Sequence, residues 1–76
     1  MTKISLDQKR FFEIGTFLKE LRVNFGYTQG MVAEEISLSR NSISRIERGG
    51  NFHFQHLILL IDFYQISIKE FFQDIE

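Results

Sequence analysis

Phe11, Ile14, Leu18, Leu21 and Phe25 fall 3, 4, 3 and 4 residues apart, the spacing that gathers apolar side chains on one stripe of an α-helix. The rhythm continues in shorter pieces to the C-terminus, and no stretch sustains the apolar–polar alternation of a half-buried strand. The pattern predicts an all-α fold. The 76 residues contain no Cys, Pro or Trp, so neither disulfides nor a cysteine zinc site can hold so small a domain together, and helix packing must. The longest apolar run, Leu57 to Ile61, is five residues, against roughly 20 for a membrane span. A soluble, cytoplasmic protein that does not enter a membrane is expected.

Caps and breakers divide the chain into five helices. The first is predicted to open at Ser5, where Gln8 can complete a capping box, and to end at Asn24-Phe25-Gly26-Tyr27, with Gly26 in the left-handed position after the terminus. Thr28 is placed to cap a second helix over about 29–36, with Val32, Ala33 and Ile36 inward and Glu34 and Glu35 outward. After a tight turn at Ser37-Leu38, Ser39 caps a third helix that stops at Gly49-Gly50. Its inward set is Ile43, Ile46 and Glu47; its outward set is Arg40, Asn41, Ser44, Arg45 and Arg48. A fourth helix is expected over 54–64 with Phe54, Leu57, Leu60, Ile61 and Tyr64 inward, and Ser67 to Glu70 form a capping box for a fifth around Phe71 and Phe72. Without repeats or linkers, residues 1–76 form a single domain.

The net charge of −1 argues at first against a polyanionic partner. It conceals a polarised chain, however. Arg40, Arg45 and Arg48 cluster in the middle, opposed there only by Glu47, while Glu70, Asp74 and Glu76 make the tail acidic. Two short helices joined by a tight turn, the second with an arginine-rich outer face, are what a DNA-reading helix-turn-helix requires. Arg40, Asn41, Ser44 and Arg45 stand at i, i+1, i+4 and i+5 on that face. Arginine suits guanine O6 and N7, and asparagine suits adenine N6 and N7, each pair giving about 1–3 kcal/mol of discrimination. At the start of the second helix, Gln29 lies beside free backbone amides where a phosphate can be held, and Gly30 either keeps the approach open or is a glycine merely tolerated in the helix.

Gly26-Tyr27-Thr28-Gln29, Val32-Ala33, Leu38-Ser39, Ile43-Ser44, Glu47 and Gly49, taken together at this spacing, resemble the XRE family of phage Cro and repressor proteins, the lambda-repressor-like helix-turn-helix proteins. The similarity runs over 14–72, with the helix-turn-helix at about 28–48. It implies a sequence-specific double-stranded DNA-binding transcriptional regulator, a repressor in its simplest form, that reads the major groove with the third helix. By this likeness Arg40, Asn41, Ser44 and Arg45 are the base contacts, and Gln29, Ser42, Arg48 and Asn51 the phosphate contacts. It also implies a partly buried salt bridge between Arg22 and Glu47, which both flank the buried stripes of their helices. Ser37 departs from the family pattern, standing where a glycine is usual, and Asn51-Phe52-His53 replaces a customary proline.

Nothing in the sequence supports catalysis or a cofactor. The serines lack a nucleophile elbow, Arg48-Gly49-Gly50-Asn51 lacks the lysine of a phosphate-binding loop, and Glu34 and Glu35 point about 100° apart on their helix. His53 and His56 are a pair, where a stable metal site needs three or four ligands. The aromatic load is more informative, because 9 Phe and 2 Tyr are more than so small a core readily hides. Phe63, Tyr64, Phe71, Phe72 and Ile75 concentrate it near the C-terminus, the end through which proteins of this likeness often dimerise. A two-fold homodimer joined by these residues is expected, with an aromatic core in a monomer as the alternative. A second function class also stands: a protein-interaction module, such as an antitoxin or immunity partner, that docks another protein through the aromatic end. The chain is expected to be a DNA-reading module without a separate effector domain.

Overall fold

The computed structural model describes residues 3–73, with side chains from residue 8 onward. Five helices follow one another: α1 (Lys3–Phe25), α2 (Gln29–Glu35), α3 (Arg40–Glu47), α4 (Phe54–Phe63) and α5 (Ile68–Gln73). No strand occurs among the described residues. The helix expected to open at Ser5 already runs at Lys3, so Ser5 is not its cap. No Gly or Pro precedes Gly15 to end the helix earlier. The proposed partnership of the Ser5 and Gln8 side chains lies outside the described residues.

Four successive helices end in the same way. Gly26, Ser37, Gly49 and Gln65 all adopt positive φ (79°, 61°, 91° and 59°). At each, the following N–H reaches back five residues: Tyr27 to Arg22, Leu38 to Ala33, Gly50 to Arg45 and Ile66 to Ile61, at 2.9–3.3 Å. These are Schellman motifs, in which one left-handed residue satisfies the carbonyls left over at a helix end. Tyr27, Leu38 and Ile66, the residues that follow three of these positions, pack against the core, so each motif also aims an apolar side chain inward. Ser37 and Gln65 hold the left-handed conformation with a Cβ, which costs an L-residue roughly 1–2 kcal/mol. Replacing either by glycine removes that penalty against a smaller entropic loss. Ser37→Gly and Gln65→Gly are each expected to stabilise the domain by about 0.5–1 kcal/mol, seen as a higher urea midpoint; a lower midpoint would contradict the account.

The core forms where these helices converge. Ile14 and Leu18 from α1, Val32 and Ala33 from α2, and Ile43 and Ile46 from α3 are buried, and Leu57, Leu60, Ile61 and Tyr64 close it from α4 and its C-cap. Two inward assignments need correction. Phe54 is 66% exposed, because Phe52 in the preceding loop packs on the core and sets its ring edge-on against Phe11 at 5.3 Å. Phe25 is 49% exposed, because α1 ends there and its ring rests against Tyr27 and Tyr64 at 5.8 and 5.5 Å.

The C-terminal aromatic cluster also divides. Tyr64 and Phe71 are 3% and 0% exposed, so neither is available to a second copy, contrary to the expectation. α5 is opened by a reciprocal capping box, Glu70 N–H to Ser67 Oγ at 3.0 Å and Ser67 N–H to Glu70 Oε1 at 3.3 Å. It lays Phe71 edge-on against Phe17 of α1 at 5.2 Å, completing the core. Phe63 is half-buried beside Tyr27 and Phe72 is exposed. Ile75 lies outside the described residues.

Candidate nucleic-acid interface

The two helices that carry the interface are too short to be stable alone. Each is secured at its first turn by a side chain: Thr28 Oγ1 accepts from Met31 N–H at 3.1 Å, and Ser39 Oγ from Ser42 N–H at 3.0 Å. Buried Ile43 and Ile46 then anchor the inner face of α3. That burial decides the direction of everything else on the helix. Arg40, Asn41, Arg45 and Arg48 are exposed, while Ser42 and Ser44 are half-buried.

The six residues are not equally free. The Ser39 hydroxyl donates to Ser42 Oγ at 3.0 Å, and Arg48 Nη1 donates to Ser44 Oγ at 3.0 Å. Arg48 thus lies along α3 and leaves Arg40, Asn41 and Arg45 as side chains without a hydrogen-bond partner among the described residues. Gly50 gives Arg45 its room. A Cβ at residue 50 would lie 2.7 Å from Arg45 Cγ and 3.1 Å from its carbonyl oxygen, so the arginine stem passes across the bare backbone. Asn51, beyond the glycines, is exposed.

Behind this face sits an ion pair. Arg22 Nε donates to Glu47 Oε2 at 2.8 Å and Nη2 to Oε1 at 3.1 Å, the fork geometry that makes such pairs strong. Their side chains are 12% and 6% exposed. The third guanidinium nitrogen, Nη1, donates to the Tyr27 carbonyl at 2.9 Å, tying the end of α1 to the approach to α2. Hydrogen bonding to Glu47 raises the Arg22 pKa further above its usual value, against the opposing effect of burial. Tyr64 lies close to the pair, and burial, followed by the charge of Glu47, pushes its hydroxyl up to about 12.

Gln29 belongs to the same network. Its Nε2 donates to Glu47 Oε1 at 3.0 Å, so the side chain singled out for a phosphate is oriented by a carboxylate on α3. An amide has two N–H groups, and the second is not used on Glu47. Glu47 therefore joins α1, α2 and α3 through one carboxylate. At Gly30 an added Cβ would meet nothing nearer than Thr28 Oγ1 at 3.9 Å; nothing within the domain requires a glycine there.

Gly15, midway along α1, is a position that residue pattern alone does not single out. A Cβ there would fall 2.3 Å from the Ile46 carbonyl oxygen and 2.8 Å from that of Glu47, so α1 crosses the end of α3 in backbone contact. The available signal was a lone glycine inside a strong helical pattern. Among the described residues no three His, Cys, Asp or Glu side chains gather to hold a metal, and no helix is long and apolar enough to cross a membrane.

A pair of short capped helices around a four-residue connection, with the second anchored inward by isoleucines and arginine-bearing outward, defines a helix-turn-helix domain. The family model described as helix-turn-helix matches residues 18–71, which takes in α2, α3 and α4 whole. The chain belongs to the XRE/Cro-like helix-turn-helix family and is a DNA-binding regulator of that type. No curated protein and no solved structure matches it.

Proposed function

We propose that the protein is a sequence-specific repressor that lays α3 in the major groove of double-stranded DNA and acts by occupying promoter sites. The observation that carries this reading is the outer face of α3. Arg40, Asn41 and Arg45 are exposed there and lack hydrogen-bond partners among the described residues, on a helix whose opposite face is buried. Arg40, Asn41 and Arg45 are the base readers, with Ser44 beside them; Gln29, Ser42, Arg48 and Asn51 meet the backbone. As a homodimer, two copies would set their recognition helices about 34 Å apart, one turn of duplex, and read a near-palindromic site.

Selection from a random duplex library, followed by titration at two salt concentrations, tests the reading. Affinity should fall with salt as phosphate contacts displace counterions. Asn41→Ala and Arg45→Ala should each relax preference at one base position by about 1–3 kcal/mol. Arg48→Ala should weaken all sequences alike and reduce the salt slope by about 1. Indifference of DNA affinity to all three changes would sink this docking and favour the protein-interaction alternative.

A further inference from the structure

A cleft of about 330 Å³ opens between α3, from Ser42 onward, and the first turn of α4. Its apolar floor is Ile46 and Phe52, and its polar lining includes Arg45, Asn51, His53 and His56. The two imidazoles stand edge-on, with ring centres 5.1 Å apart. His53 is the N-cap residue of α4, yet its side chain makes no capping hydrogen bond. Among the described residues, none of these four polar side chains has a hydrogen-bond partner within the domain. The lining therefore presents a set of unengaged donors on a side of the molecule continuous with the outer face of α3.

The charge around the cleft is one-sided. From α3 the charged group facing it is Arg45, and among the described residues no carboxylate lines it. The connecting loop contributes Asn51 and Phe52, and α1 stands behind it through Phe11, packed against Phe52. The acid on α4 itself, Asp62, lies six residues beyond His56, about 9 Å along the helix. An anion seated in the cleft can accept from the Arg45 guanidinium and favours the charged form of the two imidazoles, which then donate to it as well.

We propose that this cleft seats a backbone phosphodiester of the bound duplex, and that His53 and His56 take up protons as it enters. The proposal rests on the DNA-reading role of α3, which carries the duplex past the cleft. Imidazole is the side chain that ordinarily changes charge between about pH 5 and 8. Binding that favours the charged form takes up protons, so affinity rises as pH falls across that window. Because a phosphate carries no base identity, the gain is shared by all sequences.

A random-sequence duplex is a sufficient probe, titrated with the intact chain at a fixed ionic strength of about 0.15 M. From about pH 8 to pH 6 the affinity should rise by roughly tenfold or more, as expected when charge-assisted hydrogen bonds form. His53→Gln/His56→Gln, checked for an unchanged circular dichroism spectrum, should lose most of the rise between about pH 8 and pH 6, whatever its affinity at pH 8. On the unmodified protein, the imidazole resonances should titrate at higher pH with duplex present and stay where they are with inorganic phosphate alone. DNA binding that is flat with pH, or a rise that persists in the double variant, overturns the proton-linked cleft and leaves the reading of α3 intact. Movement of the resonances with inorganic phosphate alone makes the cleft a free-anion site and overturns the proposal. No binding to duplex at any pH overturns both.

Discussion

Arg22→Ala is expected to destabilise the domain by about 3–5 kcal/mol, the usual consequence of removing one member of a buried ion pair. The magnitude follows from what remains. Glu47, with its side chain 6% exposed, would keep one hydrogen bond, from Gln29, and would have to bear its charge almost without solvent. The Tyr27 carbonyl would lose the Nη1 donor as well. For a chain of 76 residues, where total stability is on the order of 5 kcal/mol, such a loss leaves much of the protein unfolded at 37 °C. Urea denaturation measures it directly, and an unchanged midpoint would show the pair to be idle.

The double substitution Arg22→Met/Glu47→Leu separates stability from function. Replacing both charges with apolar groups of similar size is often neutral or better, so the midpoint should recover most of the loss. Gln29 would then have no carboxylate to orient it, and the junction of α1 with α2 would lose its hydrogen bond to Tyr27. A stable protein with reduced DNA affinity is the expected outcome. Full recovery of both would show that Glu47 contributes no more than a filled volume.

Gly15→Ala is expected to cost about 3 kcal/mol, at the upper end of what overpacking does. Elsewhere in a helix the same change stabilises by about 0.5–1 kcal/mol, so even the sign is diagnostic. Here the added methyl would meet the carbonyl oxygens of Ile46 and Glu47 at 2.3 and 2.8 Å. A backbone cannot swing aside as a side chain can, so α1 and the end of α3 must separate, carrying Glu47 away from Arg22. A fall in melting temperature of roughly 15 °C is anticipated for a domain of this size. If the melting temperature rose instead, the helices would be crossing with more room than the structure gives them.

Both sites show how far the sequence could be read. Thr28, Ser39 and Ser67 were legible as caps because each bonds a residue three positions away. The inward faces of α2 and α3 followed from periodicity for the same reason. Ser37 stood out as a turn residue without glycine, and it takes the left-handed conformation. Gln65 does the same without a comparable signal, because glutamine has no preference for that region. Among the aromatics, apolar character alone could not rank Phe54 and Phe72, which are exposed, below Tyr64 and Phe71, which are core. Their places depend on Phe52 and Phe17, which occupy the neighbouring volume.

What the sequence determined by itself was local: five helices, nearly all their ends, the basic outer face of α3 and the family likeness. Backbone hydrogen bonding and helical period act over three to five residues, so they can be read directly from residue order. Tertiary structure alone decided that Gln29 donates to Glu47, 18 positions away, that Gly15 lets two backbones touch, and that His53 and His56 face a cleft with Arg45. Those facts depend on the distances between helices, which are set jointly by every side chain packed between them.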